Sequence, residues 1–231
     1  MTLAAAVAVA DRLGPVRSLV LHGSLASGDF RPGRSDIDLL MVVDSPPDAS
    51  VVEQVVGSAD LGAAAALDLH VVLTSAAARP VPAPPLELYV RRHAGTPGLD
   101  VERRAAASPD LILELSTARS GRVLRGEAVI GAVPPAWVVQ RGRYWLRAWQ
   151  ALTDDTAHAA FMALTACRIW RFAHSHGHSS KLAAARWVLE REPSLASVRG
   201  AIRQYEGDAT ATIDRRDLAE LLATALRETD R

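Results

Sequence analysis

The sequence predicts an α+β chain in which a strand-bearing first half is followed by an all-helical second half. Short β-branched runs alternate with helical segments through the first half. After Pro134 and Pro135, apolar residues recur at helical spacing, and all 5 tryptophans lie beyond that point.

The elements follow in order. An amphipathic helix is expected to about Leu13 and ends at Gly14 and Pro15. "VRSLVLH" reads as a strand, "GSLASG" as a glycine-bearing loop, and "DIDLLMVV" as a second strand. "SPPDAS" then opens a helix through "VVEQVVGSA", and "ALDLHVVLT" is a third strand. Pro80, Pro82, Pro84 and Pro85 make "ARPVPAPP" an extended connector before the short run "LELYV", and the pattern after Pro109 is helical. In the second half, helices are expected at Ala136 to Leu152, His158 to Ser175 and Lys181 to Glu190, with two more between Leu195 and Glu228. The composition shift divides the chain into residues 1–132 and 133–231.

At 231 residues and 49% hydrophobic, the chain can bury a sizeable core, which excludes disordered and fibrous classes. Its 26 basic and 26 acidic residues cancel, so neither nucleic acid nor a membrane surface is expected as a partner, and any phosphate chemistry must be local. The opening "MTLAAAVAVADRLGP" lacks a basic leader and meets Asp11 and Arg12, unlike a signal peptide. No window approaches the ~20 apolar residues of a membrane span. The lone Cys167 excludes an internal disulfide and reads as a small core residue. A cytoplasmic monomer is expected.

Within "LHGSLASGDFRPGRSDIDLLMVV", Asp36 and Asp38 fall on one face of a strand while Ile37 and Leu39 point into the core. Two like charges so placed repel, and a hard divalent cation with all-oxygen ligation, Mg2+, relieves the repulsion. A solvated strand face is the plain alternative. Gly23 and Ser24 follow the first strand directly, where backbone N–H groups and a hydroxyl can approach a phosphate; an ordinary turn is the alternative there. Asp68 is an isolated carboxylate in an apolar strand and needs a partner, while His70 on the same face reads as a packed neighbour.

Strand, Gly-Ser, then Asp-x-Asp resembles the nucleotidyltransferase superfamily that includes DNA polymerase beta. The second half, with "RIW", "SSK", "AAARW", "ER" and a later Tyr205, looks like the helical domain of the aminoglycoside adenylyltransferases that modify streptomycin and spectinomycin. The resemblance spans nearly the whole chain. It implies a nucleotidyltransferase domain with a mixed sheet flanked by helices, followed by an all-α domain that completes the nucleotide and acceptor sites.

It also implies ATP as co-substrate and two Mg2+ ions on Asp36 and Asp38. Asp68 would be the catalytic base, and Gly23, Ser24, Arg168, Lys181 and Tyr205 would contact the nucleotide. His93, Asp154 and His158 fall at acceptor-facing positions. Three departures stand out. Asp68 replaces the usual glutamate and so could serve as base or metal ligand. His93 lies where streptomycin users carry tryptophan, and His158 where the family commonly has aspartate. These changes favour a compact aminocyclitol such as spectinomycin over streptomycin. Two alternatives remain on the residues alone: transfer to another acceptor, small molecule or protein, and a non-catalytic nucleotide-binding module.

Overall fold

A computed structural model describes residues 2–230, leaving the two terminal positions outside the description. In the first half the chain runs α1 (Thr2–Arg12), β1 (Ser18–His22), α2 (Gly23–Ser27), β2 (Ile37–Val43), α3 (Ala49–Gly57) and β3 (Ala66–Leu73). It continues through α4 (Thr74–Ala78), β4 (Leu86–His93), β5 (Leu99–Ala105), α5 (Leu111–Ala118) and β6 (Arg122–Gly126). The second half is helical: α6 (Pro135–Gln150), α7 (Ala159–Ser175), α8 (Lys181–Arg191), α9 (Ala196–Glu206) and α10 (Arg215–Glu228). The chain divides into two compact units between Val133 and Pro134. Among the described residues, no helix is long and apolar enough to cross a membrane.

The first unit is built on one six-stranded mixed sheet of order β5-β4-β3-β2-β1-β6. β2 and β3 run parallel and every other neighbouring pair is antiparallel. Alternation along the strands gives each face its own task. Leu19, Leu21, Ile37, Leu39, Met41, Leu67, Leu69, Leu88 and Val90 point to one face and pack with α1 and α3 into a continuous core. The opposite face carries Asp38, Leu40, Asp68, His70, Tyr89 and Arg91, so the polar groups lie on the side away from that core.

Three segments differ from the sequence expectation. "GSLAS" is a five-residue helix rather than a loop. "LDVERRA" and "RVLRG" are strands β5 and β6, which no sequence pattern announced. Both lie at the sheet edges and are largely exposed, so their apolar alternation is diluted by the charges that natural edge strands carry.

The second unit packs its five helices around Leu146, Met162, Leu164, Cys167, Trp170, Val188, Val198, Leu218 and Leu222. Helix α6 approaches α7 closely at Gly142, where a Cβ would come within 2.7 Å of Ile169. Trp170 meets Trp187 edge to face at 6.0 Å, a core arrangement rather than a ligand platform. Burial pushes the Cys167 thiol up to about 12, which removes thiolate chemistry.

Candidate functional site

Asp36 and Asp38 are placed by the turn that leads into β2. The backbone N–H of Arg31 donates to Ser35 Oγ at 3.0 Å, and the Ala65 N–H donates to the Ser35 carbonyl at 2.9 Å. This buried serine thereby ties the start of β2 to the start of β3, so that Asp38 stands opposite Asp68 in the parallel register. On the other side, Asp38 pairs in register with His22, the last residue of β1. Gly23 follows with φ of +65°, and a Cβ there would run into the Asp38 carboxylate. Only glycine combines that backbone conformation with that approach. Ser24 is the second residue of α2, partly exposed, and Gly28 closes this short helix in the left-handed conformation.

Asp68 has partners that sequence reasoning did not find. Tyr89 Oη donates to its Oδ1 at 3.0 Å, and Arg91 Nη1 donates to its Oδ2 at 2.8 Å. The other prong of Arg91, Nη2, reaches Asp36 Oδ2 at 3.1 Å. Arg91 Nε lies 3.2 Å from His93 Nε2, which in turn lies 3.3 Å from Asp100 Oδ2. That imidazole nitrogen accepts from Arg91 when deprotonated and donates to Asp100 when protonated, one role at a time. His93 is thus an exposed member of the Arg91 cluster. The signal in the sequence was register alone: Asp68 faces Arg91, and His70 faces Tyr89, across β3 and β4.

Burial dominates the electrostatics of Asp68 and raises its carboxyl above the ordinary range, while the charge of Arg91 opposes that shift. A carboxyl so raised is better suited to receiving a proton than a fully solvated one. His70 packs against Tyr89 with ring centroids 4.7 Å apart, and burial lowers its pKa to about 4. It is neutral near pH 7 and behaves as the packed neighbour expected of it.

The donor chemistry fits Mg2+. Asp36 and Asp38 are partly exposed, offer hard oxygens, and have already drawn a guanidinium to Asp36. Among the described residues, no three acidic, imidazole or thiol side chains converge to hold an ion alone. Oxygens from a bound phosphate would therefore be needed to complete the shell, as is usual for Mg2+.

In the second unit, Lys181 opens α8 behind the Ser180 cap, whose Oγ accepts from the Ala183 N–H at 3.1 Å. Lys181 Nζ lies 5.7 Å from the Tyr205 ring and 5.6 Å from the Phe161 ring. These contacts group Lys181 and Tyr205 with Phe161, which is 51% exposed. Arg168 lies seven positions after Phe161, on the same side of α7. Asp154 is exposed in the turn before α7. Its neighbour Asp155 accepts from the His158 backbone N–H at 3.2 Å and lies 2.7 Å from His158 Nδ1. The bond to His158 lowers the Asp155 carboxyl. His158 is the N-cap of α7 and no side chain caps that helix end, so the Asp155 carboxylate is accounted for by its two bonds to His158.

A mixed sheet with two aspartates beside a Gly-Ser helix start fits a nucleotidyltransferase. Residues 6–82 match the family model of the nucleotidyltransferase domain, and residues 128–228 match that of the aminoglycoside adenylyltransferase C-terminal domain. The chain belongs to the aminoglycoside adenylyltransferase family, and it is an enzyme. Among solved structures, it is similar to the spectinomycin adenyltransferase AAD(9) from Enterococcus faecialis, crystallised with ATP and spectinomycin. The two share 16% identity over 100% of each chain, with a TM-score of 0.76, a likeness of fold.

Proposed function

We propose that the protein is an ATP- and Mg2+-dependent O-adenylyltransferase that modifies a hydroxyl of an aminocyclitol antibiotic, with spectinomycin favoured over streptomycin. The observation that carries this reading is the grouping of Asp38 and Asp68 on one sheet face beside Gly23, with Asp36 joined to Asp68 through Arg91. In the reaction, the acceptor oxygen forms a bond to the α-phosphorus of ATP, and the bond from that phosphorus to pyrophosphate breaks. Asp36 and Asp38 would hold two Mg2+ ions together with phosphate oxygens; bound there, the ions supply charge neutralisation and polarisation of the α-phosphate.

Asp68 receives the hydroxyl proton. Arg91 and Tyr89 orient its carboxylate without exchanging protons themselves, since Tyr89 is held well above its ordinary range, chiefly by burial. Gly23 and Ser24 admit the triphosphate. By the family resemblance, Arg168, Lys181 and Tyr205 would contact the nucleotide, the two cations balancing the charge that develops on pyrophosphate.

For the acceptor, Asp154 supplies the attraction for an amine, since Asp155 is engaged by His158. His93 presents an imidazole bound up with Arg91 rather than a flat aromatic surface. Both features favour a compact, modestly charged acceptor over one bearing guanidinium groups. The similar protein AAD(9), crystallised with ATP and spectinomycin, supports an aminocyclitol as the acceptor class to test first.

Pyrophosphate release with ATP, Mg2+ and either drug tests the reading. Faster turnover of spectinomycin is expected, and His93→Trp with His158→Asp should shift the ratio toward streptomycin. Equal or better use of streptomycin by the unmodified protein would contradict the assigned acceptor preference.

A further inference from the structure

Arg91 binds three groups at once. Its Nη1 takes Asp68 at 2.8 Å, its Nη2 takes Asp36 at 3.1 Å, and its Nε takes His93 at 3.2 Å. A bidentate fork between two carboxylates neutralises a repulsion that would otherwise oppose their close approach. The Arg91 side chain retains 28% of its exposure, so the fork is not locked in a dry core. Asp100 faces Arg91 across the β4–β5 register and is 67% exposed, offering a second carboxylate toward which the guanidinium can turn. Asp68 is held differently, with Tyr89 on its second oxygen.

We propose that Arg91 is a positioning residue that acts as a resident counter-cation. It competes with the divalent ion for Asp36 while reserving Asp68 for the proton. This rests on the assignment of Asp36 and Asp38 as metal ligands. The guanidinium covers Asp36 Oδ2 at 3.1 Å, so an ion taking that oxygen would have to displace it. With both its oxygens held by Arg91 and Tyr89, Asp68 would stay out of the metal shell and be left to serve as the base. The geometry thereby gives the aspartate at this position a partner suited to its short side chain.

Mn2+ binding to the full-length, nucleotide-free protein, read by electron paramagnetic resonance of free Mn2+, tests this directly. Arg91→Gln is expected to bind Mn2+ about 3- to 10-fold more tightly than wild type. Arg91→Lys keeps the charge but loses the fork, and should also bind more tightly, by a smaller factor. Adding Asp36→Asn to Arg91→Gln should abolish the gain. Arg92→Gln, which removes an equal charge on the opposite face of β4, should leave affinity within about 2-fold of wild type. Should Arg91→Gln fail to fold by circular dichroism, Arg91→Lys carries the decision. Equal or weaker Mn2+ binding in the Arg91 variants, or an equal gain in Arg92→Gln, would overturn the inference while leaving the metal assignment standing. Absence of Mn2+ binding by every variant, with ATP as well as without, would overturn both.

Discussion

Asp68 shows how much a single side chain can and cannot reveal. Its position in an apolar run marked it as needing a partner, and the structure supplies Arg91 and Tyr89 from the adjacent strand. Sequence could not name them, because cross-strand neighbours depend on a register that nothing local encodes. Replacing Asp68 with Asn preserves size and one accepting oxygen but removes the proton acceptor. ATP binding should persist by calorimetry, while the single-turnover rate falls by about 100-fold or more. Retained ATP affinity with an unchanged rate would remove Asp68 from the chemistry.

His70 makes a prediction of a different kind. Its pKa is lowered from 6.5 to about 4 in the folded protein, chiefly by burial. The unfolded chain therefore binds more protons across that window, and stability falls as pH drops through it. The cost is on the order of 1–2 kcal/mol, since His70 is not fully enclosed. Asp68, raised by burial, contributes with the opposite sign, so the comparison is made against His70→Gln. Urea midpoints should fall more steeply between pH 7 and pH 4.5 in wild type than in that variant, at conditions chosen around the quoted pKa. Parallel profiles would contradict the assignment.

At the scale of elements, legibility followed burial. β1, β2 and β3 were readable because their central residues are apolar and enclosed, and the helices of the second unit because their periodicity runs over several turns. β5 and β6 were not, because an edge strand exposes charges that erase the two-residue pattern. The "GSLAS" helix is too short to carry a periodicity at all. Its entry point is nonetheless decisive: Gly23 turns the chain at φ +65° directly against Asp38. Gly23→Ala should cost about 1–3 kcal/mol in stability and displace the Asp38 carboxylate. A urea midpoint and turnover both equal to wild type would show that the close approach is dispensable.

For the whole molecule, the shift from strands to helices near Pro134 was visible in composition, and so was the motif set that carries the family resemblance. Lys181 and Tyr205, separated by most of two helices in sequence, come together in the fold, with Nζ 5.7 Å from the ring. Phe161 and Arg91 escaped notice because each gains its meaning from neighbours distant in sequence. In the proposed reaction this chain joins an adenylyl group to an aminocyclitol hydroxyl, with Asp36 and Asp38 as the indispensable carboxylates. The decisive measurement is mass spectrometry of spectinomycin incubated with the protein, ATP and Mg2+. A product heavier by one adenylyl group is expected from wild type and not from folded Asp36→Asn or Asp38→Asn; unmodified spectinomycin with wild type, or the same product from both variants, would rule the reaction out.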